Sequence, residues 1–107
     1  MKTSKPIKSS SFAVYGLGLT GNSVFRFLKK RNITDIYTWD DKKNRNDKKK
    51  YNLFKKKLDK VDHIVISPGI NILKTKFKLK LLKNKKKIIT DLDLFYMENH
   101  SVKSVVI

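Results

Sequence analysis

Gly16-Leu17-Gly18-Leu19-Thr20-Gly21 reads G-x-G-x-x-G, and its neighbours give that motif a structural setting. Before it stands the apolar run Phe12-Ala13-Val14-Tyr15. After it, from Asn22 to Arg31, the apolar residues Val24, Phe27 and Leu28 recur at helical spacing. The order predicts a strand, a tight glycine turn, and a helix from about Gly21 to Arg31, with Arg26, Lys29 and Lys30 facing outward and Asn32 as the stop. Glycines let the backbone turn sharply and approach a ligand closely, while the open N–H groups and positive dipole end of a new helix attract phosphate. The turn therefore points to a nucleotide or another diphosphate. The same glycines would also serve a helix that only packs closely on a strand.

The strand-helix unit repeats along the chain. Asp35-Ile36-Tyr37-Thr38-Trp39, rich in β-branched and aromatic residues, reads as a second strand ending on Asp40-Asp41. Asp40 falls about 20 residues beyond the glycine turn, where dinucleotide-binding folds place a carboxylate, and the alternative is an ordinary acidic strand exit. Tyr51, Phe54 and Leu58 mark a short amphipathic helix, and His63-Ile64-Val65-Ile66 reads as a strand buried on both faces. His63 stands at that strand's entrance and is read as a strand-edge residue, since no carboxylate or nucleophile pairs with it at a recognisable spacing. Ser67-Pro68-Gly69-Ile70 then forms a rigid turn able to present backbone N–H groups or the Ser67 hydroxyl.

Phe77, Leu79, Leu81 and Leu82 alternate as in a strand, yet Phe77 and Leu81 are also four apart, and a parallel sheet requires a crossover there. Helix is the reading adopted. Lys87 to Thr90 is a fourth strand, Asp91 caps a short helix through Leu92, Leu94 and Phe95, and Ser101 to Ile107 is a last strand. The expected fold class is α/β, a Rossmann-like open parallel sheet of four to five strands with helices on both faces and right-handed crossovers. Residues 1–11 form a polar leader, 12–100 the domain, and 101–107 the first strand of a further domain. Leu19-Thr20, Asp40-Asp41 and Ser67-Pro68-Gly69 come at the carboxyl ends of successive strands, where such sheets hold ligands.

Composition sets further bounds. A chain of 107 residues suits one domain with a modest core. It has no cysteine, and His63 and His100 lie far apart, so disulfides, thiolate chemistry and a metal site are not expected. No run approaches the roughly 20 apolar residues of a membrane span, and Met1 to Ser11 lacks a signal-peptide core, which suggests a cytoplasmic chain without a membrane partner. The net charge of +17 raises nucleic acid as a partner, but Arg26, Arg31 and Arg45 are the only arginines and lysines lie in nearly every helix and loop. Nucleic-acid sites favour arginine forks interleaved with aromatic residues, so the lysines read as a solvated surface and no nucleic-acid partner is expected.

Four segments in order, GLGLTG at Gly16–Gly21, WDD at Trp39–Asp41, ISPGI at Ile66–Ile70 and TDLDLF at Thr90–Phe95, resemble the N-terminal domain of the MurD-type Mur ligases. The resemblance covers about residues 11–107. It implies a domain that holds the uridine diphosphate of UDP-N-acetylmuramoyl-L-alanine, with no nicotinamide cofactor. By that likeness Gly18, Leu19, Thr20 and Gly21 would meet the diphosphate, Asp40 and Asp41 would face the uracil end, and Ser67, Pro68 and Gly69 would wall the pocket. Lys42 takes a position where the family often has a basic residue.

The family reaction uses ATP and Mg²⁺ to activate the substrate carboxyl as an acyl phosphate, which the amine of D-glutamate attacks. Residues 1–107 contain no G-x-x-G-K-[ST] segment, so the chain is expected to be a monomeric substrate-binding piece of such a ligase, without catalytic residues of its own. Two other functions fit parts of the pattern: an NAD(H)-binding sensor or dehydrogenase domain, and a basic nucleic-acid-binding module.

Overall fold

Four short strands, β1 (Phe12–Tyr15), β2 (Ile36–Trp39), β3 (His63–Ile66) and β4 (Ile88–Ile89), pair in parallel in the order β2-β1-β3-β4. The computed structural model describes residues 10–102. Helices α1 (Leu19–Lys30), α2 (Lys48–Lys57) and α3 (Lys78–Lys83) connect successive strands, and α4 (Asp91–Val102) follows β4. The architecture is the expected Rossmann-like α/β sheet. After β2 the chain returns to the other side of β1, so β1 and β3 flank the point where strand order reverses.

Alternation along β1 divides the core in two. Phe12 and Val14 face one side with Val24, Leu28, Ile33, Val65 and Leu94, which closes the layer of α1 and α4. Ala13 and Tyr15 face the other with Trp39, Phe54, Leu58, Ile64, Phe77 and Leu81, the layer of α2 and α3. Phe77 is the hub of the second layer, with ring centroids 5.3 Å from Tyr15, 6.0 Å from Trp39, 5.1 Å from Tyr51 and 5.3 Å from Phe54. The choice of helix around Leu81 holds, and the strand-like alternation there is explained by Leu79 standing in solvent while Phe77 and Leu81 are buried.

Asn32 ends α1 in the left-handed region, at φ 61°. Its N–H reaches the Lys29 carbonyl and the Ile33 N–H reaches Leu28, a Schellman closure sealed by burial of Leu28 and Ile33. At the other end α1 begins two residues earlier than expected, because extended Gly18 is its N-cap.

The cap of α4 is also displaced by one residue. The Thr90 hydroxyl accepts the Asp93 N–H at 3.0 Å and the Asp93 carboxylate accepts the Thr90 N–H at 3.0 Å, so Thr90, not Asp91, closes this reciprocal capping box. Helix α4 runs through Val102, into residues expected to open a terminal strand; 103–107, like the leader residues 1–9, lie outside the described residues.

Candidate functional site

The strand register aligns the site. Tyr15 pairs with Trp39 on one side and Ile66 on the other, so Gly16, Asp40 and Ser67 emerge in one row beyond the sheet. Gly16 donates its N–H to the Trp39 carbonyl at 2.7 Å, and Ser67 donates to the Tyr15 carbonyl at 3.0 Å. Past that row opens a crevice of about 820 Å³ at the switch point of the sheet, lined by Gly16–Leu19, Asn22, Asp40–Lys43 and Ser67–Ile70.

The three glycines of the turn have different tasks. Gly16 sits at φ +96°, and a Cβ there would stand 2.7 Å from Ser67 Oγ. Gly21 lies behind the crevice, where a Cβ would fall 1.7 Å from the Gly16 carbonyl oxygen, so its absence of a side chain lets α1 pack on the end of β1. Gly18 faces open space, with nothing within 4 Å of its would-be Cβ. It starts α1 without a capping side chain, and the first turn holds no acidic residue. The N–H groups that a helix leaves unpaired at its start therefore have no capping side chain and no first-turn carboxylate set against them, at an end whose Gly18 and Leu19 line the crevice.

The Asp40 carboxylate is bound into the framework. Oδ2 accepts the Leu17 N–H at 2.8 Å, and Oδ1 accepts the N–H groups of Lys42 at 2.9 Å and Lys43 at 3.0 Å. Partial burial pushes its pKa up, but the donors, Leu17 foremost, and the Lys43 charge outweigh that and hold the carboxyl below its ordinary value. Asp41 is held by side chains: Tyr15 Oη donates to Oδ2 at 2.8 Å and Trp39 Nε1 to Oδ1 at 2.9 Å. Burial of the phenol, followed by its bond to Asp41, drives the Tyr15 pKa upward, so Tyr15 is a neutral donor.

Of the residues anticipated from the sequence, Gly18, Leu19, Asp40, Asp41, Lys42, Ser67, Pro68 and Gly69 line the crevice together, whereas Gly21 stands behind it. The Thr20 side chain lies outside the described residues. The Ser67 hydroxyl donates to the Gly16 carbonyl at 3.2 Å and so braces the turn. Gly16, Leu17, Asn22, Lys43 and Ile70 complete the lining without having been named as site residues from the sequence. Leu17 is gripped at both ends of its backbone, for its carbonyl accepts Asn22 Nδ2 at 2.9 Å and Lys43 Nζ at 3.1 Å. No sequence rule marks Leu17, and one lysine among 26 basic residues carries no signal.

The sheet order, glycine turn and switch-point crevice define an α/β domain of the Rossmann-like class. Residues 10–90 match the family described as Mur ligase MurD-like, N-terminal domain. The chain is 34% identical over 85 residues to the UDP-N-acetylmuramoylalanine--D-glutamate ligase of Aquifex aeolicus (strain VF5), covering 79% of this chain and 19% of that protein. It is 35% identical over 100 residues to the enzyme of the same name from Francisella philomiragia subsp. philomiragia, covering 94% of this chain and 22% of that protein. The chain belongs to the MurD-like N-terminal domain family of the Mur ligases. It spans about a fifth of the length of these relatives. No solved structure gives a significant match.

Proposed function

We propose that the crevice holds the uridine diphosphate of UDP-N-acetylmuramoyl-L-alanine and that the chain is the substrate-binding N-terminal part of a peptidoglycan-precursor ligase adding D-glutamate. The observation that carries this reading is the start of α1: a glycine N-cap with open space in front, no capping side chain and no acid in the first turn. Such a helix end favours a phosphate, which accepts the free N–H groups and complements the dipole. The names of the relatives supply the rest of the ligand.

Residues 1–107 bind and orient this substrate without forming the amide. ATP, Mg²⁺ and D-glutamate belong to the reaction of the whole ligase, and residues 1–107 hold no lysine-bearing phosphate loop. A nicotinamide dinucleotide fits less well. Dinucleotide folds use the acid after their second strand for the ribose diol, and here three backbone N–H groups already occupy the Asp40 carboxylate.

Calorimetric titration of residues 1–107 with UDP-N-acetylmuramoyl-L-alanine and, separately, with NADH tests the reading. Saturable binding of the uridine nucleotide and none of NADH is expected; tight NADH binding without a uridine response would overturn it. ATP-dependent addition of D-glutamate by this chain alone would refute its non-catalytic role.

A further inference from the structure

Resting on the uridine diphosphate reading above, we propose that Lys43 brings a positive charge onto the ligand's diphosphate. Its ammonium exchanges the Leu17 carbonyl for a phosphate oxygen as the crevice fills. At present Lys43 Nζ donates to the Leu17 carbonyl at 3.1 Å, from a residue 26 positions away. The side chain lines the crevice and reaches from the loop after β2 to the glycine turn. Its root is fixed, because the Lys43 N–H donates to Asp40 Oδ1 at 3.0 Å. Leu17 is two residues before Leu19, the first residue of α1, so their Cα atoms are at most about 7 Å apart and the ammonium already stands beside the helix start.

Two features make that position a poised one. The Leu17 carbonyl has a second donor, Asn22 Nδ2 at 2.9 Å, so it stays satisfied when Lys43 leaves. The ammonium, in contrast, is paired with a neutral carbonyl, and among the described residues it forms no ion pair. The nearest carboxylate, Asp40, feels the Lys43 charge but makes its hydrogen bonds to backbone N–H groups, and Asp41 makes its own to Tyr15 and Trp39. A cation and the positive end of a helix thus face one crevice, and a polyanion relieves both. Lys42 also gives its N–H to Asp40, but among the described residues its ammonium makes no bond across the crevice.

The test is calorimetry on wild type, Lys43→Met, Lys43→Arg and Lys55→Met with uridine, UDP and inorganic pyrophosphate. Lys55 lies exposed on α2 outside the crevice, so its loss controls for net charge. Lys43→Met is expected to weaken UDP and pyrophosphate about tenfold, as for a lost charge-assisted hydrogen bond, and to leave uridine unchanged. Lys43→Arg should recover most of the loss, and Lys55→Met should change UDP binding by less than about twofold at physiological salt. Equal effects of Lys43→Met and Lys55→Met on both phosphate ligands would overturn the proposal. Wild type that binds pyrophosphate through Lys43 but gains nothing from uridine would refute the nucleotide reading and leave Lys43 standing. Binding of neither phosphate ligand would sink both.

Discussion

Asp40 and Leu17 are joined by a 2.8 Å hydrogen bond from the Leu17 N–H to the Asp40 carboxylate, across 23 residues of sequence. The other carboxylate oxygen holds the N–H groups of Lys42 and Lys43. One side chain therefore locks two loops that form adjoining walls of the crevice, and the charge on that side chain matters.

Asp40→Asn keeps the shape but removes the charge and turns one acceptor into a donor facing an N–H group. The expected loss of stability at neutral pH is about 1–3 kcal/mol. The Asp40 pKa is depressed in the folded protein below its ordinary 3.8. Its contribution is therefore fully present above about pH 4 and is lost as the pH falls through the folded value. Urea denaturation of both proteins at neutral pH and again in acid should show the gap between them closing in acid. A gap of constant size would mean that the charge contributes nothing.

The glycine turn offers a way to separate folding from binding. Gly21→Ala puts a methyl group 1.7 Å from the Gly16 carbonyl oxygen, a clash with backbone that no side-chain rotation relieves. It should cost about 3 kcal/mol or more, a large part of the stability of a small domain. Gly18→Ser meets nothing within 4 Å, and the backbone there, at φ −75°, suits serine. Serine is also a good N-cap, so stability should stay within about 0.5 kcal/mol of wild type. Its side chain nevertheless enters the space proposed for the diphosphate. Thermal melts with UDP titrations should find Gly21→Ala unfolded or nearly so, and Gly18→Ser folded but weakened in binding; full affinity in Gly18→Ser would remove Gly18 from the ligand's path.

What could be read from the sequence follows from how local each signal is. Strand β3 was legible to the residue, since His63 to Ile66 is an apolar run closed by Ser67-Pro68-Gly69. The glycine turn was legible because its neighbours are sequential. Leu79 left strand and helix in competition, because a six-residue helix is too short to impose its period on the pattern, and the need for a crossover decided rightly for helix. The role of Asp41 was out of reach, for it depends on Tyr15 and Trp39 meeting across β1 and β2. Asp59 was equally silent: its carboxylate binds Lys80 and Asn84, tying the turn after α2 to α3, a pairing that 26 basic residues conceal.

Tyr15 links the floor of the crevice to the aromatic core, and its titration should report on that link. Fully buried, with its hydroxyl donating to Asp41 at 2.8 Å, it ionises less readily than a free phenol. Burial opposes the phenolate first, and the Asp41 charge opposes it further. A raised folded pKa means that its stabilisation is complete below the unfolded pKa of about 10 and is lost as the pH climbs above it. Tyr15→Phe should cost about 1–2 kcal/mol at neutral pH through the lost bond to a carboxylate. It should also flatten the decline in stability above pH 10. Trp39, the only tryptophan, shares the same carboxylate, so its fluorescence should shift in Tyr15→Phe even while the protein stays folded. If wild type and Tyr15→Phe lose stability in parallel at alkaline pH, the phenol is not the group that titrates, and Asp41 is held by Trp39 alone.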